Sequence, residues 1–331
     1  MNKGIIGLKN RGNTCYLNTS IQCLNNLELL TNYFLENKHL EDIDKSFDKN
    51  QIAKEYSKLI HAIWSNNVAI EPKSFHIIIQ KYVEQFYGCD QQDSQESLSL
   101  IIDYLHESLK YSVNMTYTGT SQNEIDDLMI KSIVNYSKEL NNKYSIIAEL
   151  FFGQYINKIT TKEEEKVLST TFEKFNNLSI SIYGTTLYDC LGKFFEKELL
   201  EDKYYDENTK EYNIVYREMK LMKVPKYLII MLKRYNNYQK KSNNPISFPI
   251  NNLDLTAYCE GYDNLECSLR LNSIGCHKGI LNGGHYYAIC RYHDKWYKFD
   301  DETVDEYNIN ENNNKQIIFK EAYILIYERI D

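Results

Sequence analysis

The sequence predicts an α+β fold in which a helical part precedes a β-rich part. Apolar residues recur at helical spacing through roughly the first 110 residues, as at Ile52, Tyr56, Leu59, Ile60 and Ile63. From Ile147 onward the pattern changes to short runs that alternate or are wholly apolar, which is the mark of strands. The 331 residues are 43% hydrophobic and 25% charged, enough for one large domain with a sizeable core.

Taken in order, Gly12 and Asn13 read as a turn, and Thr14 as the cap of a helix with Leu17, Ile21 and Leu24 on one face. Residues 36–49 are polar and charged and read as a loop. Helices are expected over 52–64 and over 72–83, where Pro72 suits a first turn. The run Asp90-Gln91-Gln92-Asp93-Ser94-Gln95-Glu96 opens a third, with Leu98, Ile101, Ile102, Leu105 and Leu109 on its apolar face. Residues 112–145 read as an insertion, turn-rich at 116–122 and helical over 126–140. Strands follow at 151–160, 172–182 and 212–219, with a short helix at 187–195 between them. Residues 224–235 read as a buried strand entered through Pro225. Pro245, Phe248 and Pro249 break the chain before 253–258. Four more strands are expected at 269–277, 286–292, 295–299 and 322–328, with an Asn-rich, disordered loop at 311–315.

The net charge of −8 argues against non-specific nucleic-acid binding. No stretch approaches membrane-spanning length; the longest apolar run, 228–232, is strand-length. The first residues hold no long apolar core of a leader peptide. The eight cysteines, at 15, 23, 89, 190, 259, 267, 276 and 290, are therefore expected as free thiols in a reducing, intracellular compartment, cytoplasmic or nuclear.

Two stretches carry chemistry. Cys15 falls in the first turn of its helix, where unpaired N–H groups and the helix dipole favour a thiolate. The bland alternative is a small buried hydrophobe. Far downstream, Gly283-Gly284-His285-Tyr286 is followed by Trp296-Tyr297-Lys298-Phe299-Asp300-Asp301. Cysteine early, histidine late and an acid soon after is one order for a Cys-His-Asp site.

Asn-x-Gly-x-Thr-Cys-Tyr-x-Asn together with these later boxes resembles the Cys and His boxes of the ubiquitin-specific proteases. The resemblance covers nearly the whole chain, including Gln91 to Glu96, Gly153-Gln154, Phe248-Pro249 and Ala322-Tyr323-Ile324-Leu325. It implies a papain-like fold shaped as a right hand: a helical thumb at about 1–110, an insertion at about 111–145, β-rich fingers at about 146–225 and a palm at about 226–331. It implies a thiol-dependent deubiquitinase, with ubiquitin and ubiquitinated proteins as partners and no cofactor. The rivals are a catalytically silent ubiquitin-binding scaffold, a protease for another ubiquitin-like modifier and a generic papain-like peptidase.

Carried onto this chain, the resemblance makes Cys15 the nucleophile, His285 the general base and then acid, and Asn10 an oxyanion donor. Asp300 takes the place of the residue that orients the histidine. Its neighbour Asp301 is expected to face elsewhere, because side chains alternate along a strand, and to lie near the oxyanion or a bound water. Asp93 is expected to pair with an arginine of the ubiquitin tail, the bland reading being a helix-capping acid. Gln91, Glu96, Gly284 and Tyr286 complete the expected substrate-binding set, the glycines because substrate backbone must pass close by. Many family members bind zinc through two Cys-x-x-Cys pairs at the fingertips. Here those stretches read Thr160 to Glu165 and Tyr204 to Asn208, so no metal is expected and β pairing must hold the fingers.

Overall fold

Helix α1 (Cys15–Asn25) is buried on every side, although it carries Asn18, Thr19, Ser20, Gln22 and Asn25. Those polar groups need partners inside the protein, and their amide N–H groups and the Ser20 hydroxyl find them, whereas Asn18 Oδ1 and Gln22 Oε1 have none among the described residues. The amides of Asn18, Gln22 and Asn25 donate to the carbonyls of Leu8 (3.2 Å), Ile6 (2.9 Å) and Gly4 (3.2 Å), strapping the N-terminal segment along the helix. Ser20 donates to the carbonyl of Ser94 at 3.1 Å and accepts from Ser97 at 2.9 Å. These bonds join α1 to a second helix, Ser94–Leu109, whose first turn lies beside the candidate site.

In this computed structural model the described residues are 3–88, 90–114, 116, 118–163, 165–235, 241–280, 283–309 and 316–330. The helical part adds Glu28–Leu35, Gln51–Ser65 and Lys73–Tyr82 to these two. The loop expected at 36–49 contains a one-turn helix, His39–Asp42, whose buried His39 packs on Phe34 at 5.1 Å. Beyond it lies a mostly antiparallel sheet. Its strands run, edge to edge, Thr303–Glu306, Lys295–Asp300, His285–Tyr292, Ser268–Lys278, Ala322–Arg329, Tyr227–Lys233 and Leu178–Ser181. Tyr227, Ile229 and Met231 face the helical core, while Leu228, Ile230 and Leu232 face a second core on the other side. Burial on both faces explains why 228–232 is a continuous apolar run. A four-stranded sheet, with Val167–Phe175, Gly153–Thr161, Val215–Lys223 and Glu198–Leu199 in that order, projects from this body.

Several expected boundaries move. Residues 146–151 form a helix, because Ser145 caps it by accepting from Ala148 N at 3.1 Å, and the strand starts only at Gly153. The single strand expected at 172–182 is two strands in different sheets, broken at Asn176-Asn177, both turn-formers. The one expected at 212–219 divides likewise into Glu211–Asn213, half of a hairpin with Tyr204–Asp206, and Val215–Lys223. Residues 253–258 hold a two-residue strand and a 3₁₀ turn. The helix expected at 126–140 is Glu124–Glu139 and is tied to the fingers sheet, since Ser132 donates to Gln154. The Asn-rich stretch at 311–315 and Cys89 lie outside the described residues; the other seven cysteines are free thiols. Among the described residues no helix is long and apolar enough to cross a membrane.

The fingertips are closed by ordinary hydrogen bonds. Thr161 N donates to Lys166 O at 2.9 Å, Lys162 N to Ile214 O at 2.9 Å, and the Asp206 carboxylate accepts from Asn208 N at 2.9 Å and Thr209 Oγ1 at 3.2 Å. The side chains around this gap are lysines, acids, hydroxyls and amides, a donor set that does not fit a four-thiolate zinc site. Excess chelator should therefore leave the Tm of the purified chain unchanged, and elemental analysis should find no stoichiometric zinc. A fall in Tm, or one zinc per chain, would show the fingertips to be metal-held.

Candidate active site

Asn10 organises the turn leading into α1. Its Oδ1 accepts from Gly12 N at 2.9 Å and from both N and Oγ1 of Thr14 at 3.2 Å. Gly12 and Asn13 take left-handed φ values of +91° and +55°, as the expected turn requires. Thr14 does not cap the helix with its hydroxyl, contrary to expectation. That hydroxyl is held by Asn10 and accepts from Arg11 N at 2.9 Å. Leu17 N and Asn18 N donate to the Thr14 carbonyl at 3.1 and 3.0 Å, whereas the N–H groups of Cys15 and Tyr16, at the very start of α1, have no acceptor within the helix and no side-chain cap. They stand beside the thiol as donors for an anion.

His285 opens its strand and reaches both ways. Its Nε2 meets Asp300 Oδ1 at 2.6 Å, which leaves Nδ1 for the thiol. The hydrogen bond with Cys15 is the largest influence on the imidazole. Against the effect of burial, and with Asp300 adding to it, the His285 pKa is pushed up to about 9. His76, His106 and His277 go the other way, each pushed down by burial to about 4. Cys23 is poorly suited to attack: it is fully buried, and its hydrogen bond with Cys290, together with burial, raises its pKa.

The second oxygen of Asp300 accepts from Lys298 Nζ at 2.6 Å. Burial acts to raise the Asp300 pKa, but the bonds and charges of Lys298 and His285 outweigh it and hold the group below the usual carboxylate range. Lys298 lies two residues earlier on the same strand and so on the same face; its ammonium also sits 4.5 Å from the Tyr287 ring centroid.

Asp301 was expected to face elsewhere than Asp300 and to lie near the oxyanion; its carboxylate does meet Asn10, but strand alternation is not the cause. The strand ends at Asp300, and Asp301 adopts a left-handed φ of +49°, so a turn of the chain, not strand alternation, separates the two acids. Its carboxylate accepts from Asn10 Nδ2 and Asn18 Nδ2, both at 2.8 Å. Its carbonyl accepts from Leu8 N at 2.8 Å. At Gly7 a Cβ would lie 2.3 Å from the Glu302 carbonyl, so only glycine lets the N-terminal strap pass this turn.

The expected substrate-binding residues divide. Gln91 Oε1 accepts from Gly284 N at 2.9 Å and so holds the loop before His285. Gly284 meets a packing constraint of its own: a Cβ there would fall 1.9 Å from His277 Nε2, so packing onto His277 demands the glycine. Tyr286 lies under the site rather than on its surface, 5% exposed and stacked on His277 at 4.3 Å. Asp93 caps the helix Ser94–Leu109, accepting from Gln95 N at 2.6 Å, and its other oxygen accepts from Tyr323 OH at 2.5 Å. Glu96 is exposed on the first turn of that helix.

Four supporting residues had been assigned no role from sequence. Lys298 was findable, being two residues from Asp300 on a strand. Asn18 was findable as an amide on an apolar helix. Gln95, whose amide donates to the carbonyls of Tyr323 (2.8 Å) and Leu232 (3.2 Å), and His277 gave no local signal, because their partners are distant in sequence.

A family model described as ubiquitin carboxyl-terminal hydrolase matches residues 6–327. Ubiquitin carboxyl-terminal hydrolase 2 of Bos taurus is 29% identical over 343 residues, covering 98% of this chain and 55% of that protein. Ubiquitin carboxyl-terminal hydrolase Usp2 of Drosophila melanogaster is 30% identical, covering 99% of this chain and 35% of its own. The chain thus spans about half, or less, of the curated relatives it matches. Among solved structures, a chain of the SAGA Ubp8/Sgf11/Sus1/Sgf73 DUB module bound to ubiquitin aldehyde superposes with a TM-score of 0.76 at 24% identity. That match covers 99% of this chain and 70% of the other and shows a shared fold. The expected papain-like, hand-shaped α+β architecture is the one found.

The contacts of His285 set its titration. Nuclear magnetic resonance of the imidazole should give a pKa near 9. Cys15→Ala should lower it most and Asp300→Ala less, since the thiol contact is the larger influence. An ordinary pKa, about 6.5, in all three proteins would mean that thiol and imidazole do not meet.

Proposed function

The chain belongs to the ubiquitin carboxyl-terminal hydrolase family, and from that premise we propose that it is a thiol-dependent deubiquitinase. It cleaves the peptide or isopeptide bond after the C-terminal glycine of ubiquitin, on ubiquitinated proteins inside the cell. The observation that carries this reading is the relay in which His285 meets Cys15 on one side and Asp300, at 2.6 Å, on the other. Ubiquitin or its aldehyde is bound in the similar SAGA DUB modules, which supports the choice of modifier.

The Cys15 sulfur attacks the scissile carbonyl carbon while His285 takes up the thiol proton. Negative charge develops on the carbonyl oxygen, where the N–H groups at the very start of α1 and the Asn10 amide receive it. The C–N bond breaks, His285 returns its proton to the leaving lysine amine, and a thioester remains. Water, deprotonated by His285, then releases ubiquitin and restores the thiol. Asp300 holds the ring and stabilises the imidazolium. Asp301 positions Asn10. Gln91 shapes the channel at Gly284, and Asp93 and Glu96 offer carboxylates to the basic tail, Asp93 retaining lone pairs beyond those used by Gln95 and Tyr323. We read the whole chain as one catalytic domain, with thumb, insertion, fingers and palm at the boundaries expected from sequence.

A ubiquitin probe with a C-terminal electrophile should add once to the native chain and not at all to Cys15→Ala, as judged by intact mass. An adduct on Cys23 or Cys276 would overturn the nucleophile assignment. Parallel probes built on other modifiers test the rival specificity, and no adduct with any of them would favour a silent scaffold.

Asn10→Ala should lower kcat roughly 100- to 1000-fold with little change in KM, as loss of an oxyanion donor does. Because Asp301 holds the Asn10 amide at 2.8 Å, Asp301→Ala should produce a similar loss, and the double variant little more than either alone. Single-turnover rates on a fluorogenic ubiquitin amide measure this, and additive losses would separate the two residues.

A further inference from the structure

A cavity of about 580 Å³ lies away from the candidate active site, between the helix Glu124–Glu139, the root of the fingers sheet and the end of the last palm strand. Its volume is that of a small-molecule site. Val113, Met129, Ile133, Met222 and Val224 give it apolar walls, two of them methionines, which adapt their shape to a guest. Into this lining projects one ammonium, that of Lys223. The other cation there, Arg329, is already neutralised by a two-pronged pair with Asp263 at 3.0 and 2.9 Å. Lys223 has no such partner: among the described residues no carboxylate lies within ion-pairing distance of it. It donates to Tyr136 OH at 3.0 Å and rests against that ring. Burial holds its pKa down at about 8, while the more distant Glu149 acts in the opposite direction.

The backbone is arranged for this. Gln154 pairs with Lys223 and Tyr155 with Leu221, so Met222 is the extra residue of a β-bulge. Such bulges re-aim side chains, and here both Met222 and Lys223 line the cavity.

We propose that this cavity binds a small amphipathic monocarboxylate, its apolar body among the methionine and aliphatic side chains and its carboxylate on Lys223 Nζ and Tyr136 OH. A partly buried ammonium without a counter-ion costs desolvation energy that a carboxylate guest recovers. The apolar walls disfavour a small hydrophilic anion such as phosphate. This site is independent of the chemistry at Cys15.

Calorimetric titration of the full chain with sodium octanoate tests the assignment, with 1-octanol as the uncharged probe of the same length. Octanoate should bind saturably at one site, with octanol weaker by roughly tenfold or more, as expected for a charge-assisted hydrogen bond. Lys223→Met should reduce octanoate affinity to that of octanol, and Ile133→Trp, which fills the mouth, should abolish both. Absence of saturable binding, octanol binding as tightly as octanoate, or unchanged octanoate affinity in Lys223→Met would overturn the proposal. The comparison of the two probes on the native chain decides the matter even where a variant fails to fold.

Discussion

The structure depends on a helix that is buried all round yet is not apolar. Each buried amide or hydroxyl of α1 left without a partner would cost about 1–3 kcal/mol. Several such losses together match the whole stability margin of a domain, roughly 5–15 kcal/mol. The surroundings of α1 are therefore dictated. The N-terminal strap must run where Asn18, Gln22 and Asn25 can donate to its carbonyls, and the helix Ser94–Leu109 must approach where Ser20 can bond Ser94 and Ser97. The Asp301 turn must reach Asn18. One helix thus fixes the relation between the N-terminus, the cleft-forming helix and the palm.

The candidate site inherits its geometry from the same bonds. Asp301 accepts from Asn18 in the helix and from Asn10 in the turn before it, so the position of the Asn10 amide and that of the helix carrying Cys15 are set by one carboxylate. The neighbouring Asp300 is committed differently, to His285 and Lys298. Two adjacent acids serve two separate tasks because a single left-handed residue turns the chain between them. Lys298 and His285 together outweigh burial and hold Asp300 below the usual carboxylate range.

Much of the helical part was legible because helix periodicity is a local signal: the expected 52–64 became Gln51–Ser65, and the expected 72–83 became Lys73–Tyr82. The strands were less legible where their partners changed. Residues 172–182 read as one run, yet Leu178–Ser181 leaves the fingers to pair with Tyr227–Lys233, and no local pattern names a partner. The helix at 146–151 was missed because six residues are too short to establish a period, and its cap, Ser145, is common in loops.

By itself the sequence determined the order of helix and strand and the burial of the strand through 228–232, because both rest on residue type and near-neighbour spacing; Cys15, His285 and Asp300 were singled out by the family resemblance of the boxes that hold them. Tertiary structure alone decided that Thr14 serves the turn instead of the helix, that Gly284 is a glycine on account of His277, and that Tyr286 lies beneath the site. It also decided that Asp301 turns back toward Asn10, 291 positions away in the chain. The physical reason is common to these cases. Hydrogen bonds and steric contacts act over a few ångströms in space, and the groups that make them here are brought together only when the strap, the buried helix and the palm have packed.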